Sequence, residues 1–292
     1  MISIIIPSYF SQLTIRECIQ SLQAQETEEE FEILIINSSP DETYKIIKKY
    51  FPNISLIQLK KRTSAGQARN IGIQRAKGDI FAFIDSDCIA CSDWLKKMVL
   101  WHKKGYKVVG GAIVNKSRKN IFSRAEYPLE ILEFSPNNPR KEVKFFSAAN
   151  CSFSREIFDK YGPFPDIRAG EDLILSHKIV EEGEKIIFDP EIKVFHKNEI
   201  SFKSYLKKQM MHGEYSYKTR LMIKLSGSFI NNPLILPFLL PLLPLIRAFR
   251  VICRSLCLKN KLIYDIIWTF PLFFFGCVIW SLGYARGYVN HL

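Results

Sequence analysis

Two short stretches of this 292-residue chain place carboxylates where they could do chemistry. The first is "FIDSDC", in which Asp85 and Asp87 flank Ser86 directly after an apolar run. Alternate residues of an extended chain point the same way, so two negative charges would share one side at a strand end. No Lys, Arg or His stands beside them in sequence. A divalent cation is then the natural compensation, because Mg2+ and Mn2+ take oxygen ligands and keep positions open for phosphate oxygens. Two solvated acids in a turn is the competing reading. The second stretch is "GEDLIL", where Glu171 and Asp172 begin a helix. Adjacent residues on a helix diverge, so one can face a substrate while the other supports the loop. Two acids complementing a helix dipole is the plainer alternative.

The elements that must position these groups alternate along the first half. "ISIIIP" (2–7), "FEILIIN" (31–37), "ISLIQL" (54–59) and "DIFAFID" (79–85) read as strands, with helices over about 11–24, 41–50 and 65–77 between them. Strand–helix–strand repetition implies a mostly parallel sheet covered on both faces, with ligands beyond the carboxyl ends of its strands. Pro7, Ser8, Asn37, Ser38 and Asp85 all fall at those ends. Ser64 followed by Gln67 marks a helix start, and Gly66 and Gly72 permit close backbone approach. That helix N-terminus either cradles phosphate or is an ordinary packed cap. Residues 115–144 read as loop and short helix. After 145–154, a helix near 155–161, the loop 162–170 and a helix near 171–183 follow, and 185–196 reads as two short strands.

The formal net charge of +12 is unevenly spread. Residues 1–200 carry 29 Lys and Arg against 27 Asp and Glu, whereas 201–261 carry 11 against Glu214 alone. A nucleic-acid binder would carry its basic surface on the folded domain, so no nucleic-acid partner is expected. The basic segment suits anionic lipid headgroups instead. Seven cysteines form no disulfide framework, and the lone C-x-x-C at Cys88 and Cys91 lacks a second pair. The opening run Ile2–Ile6, stopped by Pro7, reads as a strand rather than a signal peptide, which keeps the domain in the cytoplasm.

Four parts are expected: a catalytic domain over 1–200, a basic interfacial helix over 201–228, a Pro-rich apolar in-plane or re-entrant segment with a basic linker over 229–261, and a transmembrane or membrane-anchoring helix with a short tail over 262–292. Pro233, Pro237, Pro241 and Pro244 argue against an ordinary crossing by residues 229–246. Residues 266–285 are uncharged and long enough to span. The five basic residues of 247–261 disfavour placing that linker outside.

"SIIIPSY", "INSSPDET", "SAGQARNIGIQRAKGDIFAFIDSDC" and "GEDLILSHKIVEEGEKIIFDPEIKVFH" occur in an order that resembles the family-2 glycosyltransferases of the nucleotide-diphospho-sugar transferase fold. The resemblance covers about residues 1–215. It implies an α/β fold with a mostly parallel, Rossmann-like sheet of that type, to which the residue pattern beyond 200 adds a C-terminal membrane-associated helical tail. It also implies that Asp85 and Asp87 meet ribose and a divalent metal, with His196 as a further metal ligand. Pro7, Ser8 and Tyr9 would cradle the base, and Arg69 and Asn70 would line the nucleotide pocket, with Asn37, Ser38, Gly66 and Ser86 beside them. Asn37 departs from the family's usual aspartate. Asp172 would be the base and Glu171 its acceptor-side or orienting partner. An aspartate of ordinary pKa, about 3.9, would take the acceptor proton late, as the sugar–phosphate bond breaks.

The expected activity is metal-dependent inverting transfer of one sugar from a nucleoside-diphosphate sugar, with Mg2+ or Mn2+. The expected acceptor is a lipid-linked saccharide or glycolipid at an anionic cell membrane, with the catalytic domain on the cytoplasmic side. A soluble or protein acceptor and a non-catalytic membrane adaptor are the alternatives. "PSYFSQLT" lacks the glycine-rich basic loop of a nucleotidyltransferase, and neither G-x-G-x-x-G nor G-K-S/T is present. Gln209 in "KKQMMHGEY" stands without the Arg-Trp of processive synthases.

Overall fold

A computed structural model describes residues 1–198, 200–223, 225, 228–232 and 234–291. In chain order, β1 (Ile2–Ser8), α1 (Ile15–Gln23), β2 (Phe31–Asn37), α2 (Thr43–Tyr50), β3 (Ser55–Gln58), α3 (Ala65–Arg75) and β4 (Ile80–Ile84) alternate. Then come β5 (Cys88–Ala90), α4 (Trp94–Lys103), β6 (Val108–Asn115), α5 (Ile121–Glu130), β7 (Lys141–Val143) and β8 (Asn150–Ser154). The chain continues through α6 (Arg155–Tyr161), α7 (Glu171–Glu181), β9 (Ile186–His196) and α8 (Phe202–Met222). It closes with α9 (Leu236–Leu239), α10 (Leu243–Cys257), α11 (Leu262–Trp268) and α12 (Phe270–Val289). Two compact units result: Met1–Val114 with Pro139–Lys197, and Asn115–Asn138 with Asn198–Leu292.

The first unit is built on one mixed sheet ordered β3-β2-β1-β4-β8-β6-β9-β5, with β7 also on β9. β3, β2, β1 and β4 run parallel, while β8 pairs antiparallel to both β4 and β6. All seven residues of β1 are buried, which its unbroken isoleucine run requires of a strand covered on both faces. α1 buries Ile15, Cys18, Ile19 and Leu22, the i, i+3, i+4, i+7 stripe of a helix lying on a sheet. Between β8 and the helices, Phe83, Phe146, Phe153, Phe158 and Phe164 interlock. The Phe83 and Phe164 rings meet edge-on at 5.4 Å. That aromatic cluster fixes the base of the loop leading to α7.

One local expectation changes, and two others gain detail. Residues 185–196 form one strand rather than two, because β7 pairs with its start and β5 with its end, leaving Pro190 between those ladders. The stretch 115–144 contains the ten-residue α5, capped by Asn120 accepting from the Ser123 N–H, and groups largely with the second unit. The basic linker 247–261 is mostly helix. The chain restarts helically at Pro237, Pro241 and Pro244, each within the first two positions of its segment, where a missing N–H is tolerated. Pro233 lies outside the described residues.

The 266–285 stretch also differs from a single span. Pro271 ends α11 and opens α12 at Thr269, and α11 carries the buried Asp265, paired with Arg118 and Arg124 at 2.8 and 2.6 Å. α12 packs lengthwise on α8. A Cβ at Gly213 would run into the Trp280 backbone, and one at Gly283 into the Met210 backbone, so the two helices close to a distance only glycine allows. Leu236–Cys257 and Phe270–Val289 are both long and apolar enough to cross a membrane.

Candidate active site

The two aspartates flank a turn and engage different partners. Cys88 N–H donates to the Asp85 carbonyl, which closes a turn rather than an extended end, and the two carboxylates leave it toward different partners. Asp85 Oδ1 accepts from Arg69 Nη2 at 2.7 Å, and Asp87 Oδ2 lies 3.2 Å from His196 Nε2. The turn is held from the far strand, since Lys197 N–H donates to the Asp87 carbonyl and Cys88 sits opposite His196 in the β5–β9 ladder. Compensation for Asp85 therefore comes from an arginine sixteen residues upstream, which sequence proximity does not reveal.

Arg69 reaches further. Its Nη1 donates to Glu171 Oε1 at 2.9 Å, so one buried guanidinium ties the DSD turn to the start of α7. Burial alone would depress its pKa, but Asp85 and Glu171 hold it above its ordinary value. Gly66 lets α3 come this close: a Cβ there would stand 2.8 Å from the Pro165 carbonyl and 3.3 Å from the Glu171 side chain. Asn70 clamps the same loop, donating to the Phe164 carbonyl at 2.8 Å and accepting from its N–H at 2.9 Å. Arg69 and Asn70 thus work as braces between α3 and the loop before α7.

Asp172 follows Glu171 at the start of α7. Burial, and next the charge of Glu171, push its pKa well up, against the opposing pull of Arg69 and backbone hydrogen bonds from Leu173 and Ala148. A carboxylate so tuned is a stronger base than the ordinary aspartate anticipated from sequence. Ser176 holds the turn beneath it, donating to the Asp172 carbonyl at 2.6 Å while accepting from Phe146 N–H.

At the β1 and β2 ends, Ser8, Ser11 and Ser86 form a buried hydroxyl chain, with links of 3.1 and 2.7 Å, joining the first loop to the DSD turn. Pro7 closes β1 with Ser8, and Tyr9 is exposed beyond it, its ring 4.4 Å from the Arg62 guanidinium. Asn37 is fully buried and commits both halves of its amide, donating to Gln58 and accepting from Ser39. Ser38 donates its backbone N–H to the Ser8 carbonyl. The α3 N-terminus is an ordinary cap: Ser64 accepts from Gln67 N–H and donates to Asp166 Oδ1 at 2.6 Å, so a protein carboxylate already stands there. Ser11, Asp166 and the Ala148 N–H carry no motif and emerge only from the packing.

Asp87 and His196 offer one oxygen and one imidazole nitrogen. The neighbouring Cys88 is buried, and burial followed by the charges of Asp87 and Asp85 keeps its thiol protonated. A hard oxygen-and-imidazole set suits Mg2+ or Mn2+ better than a thiolate metal site.

The sheet and its flanking helices are those of a mixed α/β fold, with these acids gathered near its strand ends. Residues 3–162, more than half of the chain, match the model for glycosyl transferase family 2, and the chain belongs to that family. The glycosyltransferase AglE of Haloferax volcanii is 25% identical over 240 residues, covering 77% of this chain and 76% of that protein. A Methanococcus voltae protein is 26% identical over an alignment covering 99% of this chain and 97% of its own. It is the dolichyl N-acetyl-α-D-glucosaminyl phosphate 3-β-D-2,3-diacetamido-2,3-dideoxy-β-D-glucuronosyltransferase. The mannosyltransferase PcManGT from Pyrobaculum calidifontis, solved with GDP-Man and Mn2+, shares the fold at a TM-score of 0.65 and 15% identity. That superposition covers 99% of this chain and 86% of the other. The chain is a nucleotide-sugar glycosyltransferase of family 2.

Proposed function

We propose that this enzyme transfers one sugar, with inversion, from a nucleoside-diphosphate sugar to a lipid-linked acceptor at a membrane. The observation that carries the reading is the Asp85–Arg69–Glu171 bridge, which sets Asp172 at a fixed place relative to the DSD turn. Ser86 and the loop of Pro7, Ser8 and Tyr9 line the nucleoside side, together with Ser38. Asn37, Gly66 and Asn70 support that pocket from behind rather than contacting the base. Asp87 and His196 would hold a divalent cation, which when bound supplies positive charge to a diphosphate leaving group. Glu171, tied to Arg69, orients the loop. Asp172 accepts the proton of the attacking acceptor hydroxyl, and attack opposite the leaving diphosphate inverts the anomeric carbon.

The membrane part rests on the helical unit and on the name of the Methanococcus relative. Leu234, Phe238, Phe249 and Trp268 are all more than two-thirds exposed, an apolar surface that water does not favour. α8 carries Lys203, Lys207, Lys208, Lys218 and Arg220, so α12, seated along it, serves better in the interface than across hydrocarbon. In this reading the catalytic unit works on the cytoplasmic side.

The test is nucleoside-diphosphate release from UDP-, GDP- and dTDP-sugars, with and without Mn2+, in membranes supplemented with polyprenyl-phosphate saccharides. Release that requires the cation, Asp87, Asp172 and the lipid acceptor is expected. Release that persists in Asp172→Asn at the parent rate would remove the base assignment, and acceptor-independent rates would remove the lipid.

A further inference from the structure

Three parallel strands end in one row at the nucleoside side of the sheet. Ser8 of β1 stands opposite Asn37 of β2, and Asn37 stands opposite Gln58 of β3. The middle member of the row is closed to ligands, because Asn37 is fully buried and both halves of its amide are taken by Gln58 and Ser39. A base resting here must be held from either side of Asn37 rather than by it. Arg62 makes the contact that crosses that position. It follows β3, yet its guanidinium carbon lies 4.4 Å from the centroid of the Tyr9 ring, just past the end of β1. β2 runs between β3 and β1, so their ends stand two strand spacings apart, about 10 Å.

The surroundings of this contact are those of a place that can open. Arg62 is exposed, and among the described residues no carboxylate pairs with it, so the side chain rests on the ring without an ionic anchor. A cation on an exposed ring is held weakly and is readily displaced. Tyr9 is itself exposed, and Phe10 packs against it at right angles with ring centroids 4.7 Å apart. Phe10 has φ of 54°, the left-handed region that bulky side chains avoid, and it is more than half exposed. Strain of this kind persists where the surrounding structure imposes it, and it gathers at ligand sites. An aromatic pair kept strained and exposed at the ligand edge of the sheet is suited to a ligand that presents a π-face.

We propose that Arg62 is a donor-binding residue that caps the nucleobase: the base takes the face of Tyr9 that Arg62 covers in the free enzyme, and the guanidinium closes on the outer face of the base. At 4.4 Å the guanidinium already touches the ring, so a base enters only as Arg62 lifts. A guanidinium suits the outer position because it is planar and stacks on π-faces, whereas an ammonium is a point charge. This role for Arg62 rests on the Tyr9 base cradle of the function proposed above, and it adds the residue that closes that cradle from the β3 side.

The test is calorimetry on the whole chain with UDP, GDP, dTDP and pyrophosphate, each with Mn2+. Pyrophosphate carries the charges of the leaving group without a base. Arg62→Ala is expected to weaken the nucleotide that the parent binds most tightly by about tenfold, and to leave pyrophosphate binding as it was. Arg62→Lys keeps the charge but not the plane, and is expected to recover little of the loss. In turnover, both variants should show a raised donor KM rather than a fall in kcat. Equal weakening of pyrophosphate, or full recovery in Arg62→Lys, would put Arg62 on the phosphates and overturn the proposal. Parent-like nucleotide affinity in Arg62→Ala beside a weakened Tyr9→Ala would leave the cradle standing and remove Arg62 from it. Parent-like affinity in Tyr9→Ala as well would remove the cradle itself.

Discussion

Buried arginines are treated in opposite ways by the two units. In the sheet unit, Arg69 is enclosed between Asp85 and Glu171, which take one N–H from each of its terminal nitrogens, while its Nε–H is left without an acceptor. In the helical unit, Arg220 and Arg247 rest on aromatic rings and carbonyls with N–H groups left over. An arginine closed by two carboxylates is a structural brace that sets distances. The same residue type thus bridges carboxylates in one unit and packs on aromatic rings in the other.

The comparison breaks most sharply at Arg69. Arg69→Met strands two partly buried carboxylates and should cost about 3–5 kcal/mol, read by denaturant unfolding, with transfer lost altogether. Arg69→Lys should recover little, because an ammonium cannot span both carboxylates as the fork does.

Asp172→Asn should lower turnover by about 10^2–10^4-fold while nucleotide binding persists. In the parent enzyme the rate should fall on acidification at a pH above the usual carboxylate range, since Asp172 must be ionised to accept a proton. Stability carries the opposite sign. The folded pKa of Asp172 lies above its ordinary 3.8, so its favourable contribution is complete below that value and disappears as pH rises through the raised one. Asp172→Asn should therefore gain stability relative to the parent from acid toward neutral pH, and a denaturant series across pH checks this.

His196→Ala and Asp87→Ala should each weaken Mn2+ affinity by more than about tenfold, measured by calorimetry with nucleoside diphosphate present, without loss of fold. In the helical unit, Gly213→Ala should cost about 1–3 kcal/mol by forcing α8 from α12. Its readout is unfolding of that unit with unaltered nucleotide affinity; a change in nucleotide affinity would mean that the two units are not energetically separate. The smallest effect is expected at Asn37→Asp, about 1 kcal/mol, from loss of the hydrogen bond given to Gln58.

The alternation of isoleucine-rich runs with amphipathic stretches was enough to specify parallel pairing of β1 to β4 and to bring Pro7, Ser8, Asn37 and Asp85 to one edge. Local periodicity encodes local structure, and parallel sheets leave few other solutions. The acids Asp85, Asp87, Glu171 and Asp172 were legible for the same reason, since carboxylates at strand and helix ends stand out against apolar neighbours. The prolines of 237–244 fall where the chain is divided into short helical segments, because a proline that breaks one helix equally well starts the next.

What only the tertiary structure decided is pairing at a distance. Arg69 meets Glu171 across 102 residues, and Asp87 meets His196 only because β5 and β9 are neighbours in the sheet. The raised pKa of Asp172 likewise comes first from burial, which a chain in water does not possess, and burial strengthens the repulsion from its sequence neighbour Glu171. Residue types set which interactions are possible. Folding chooses among them by bringing distant groups into a medium where a charge cannot remain without a partner.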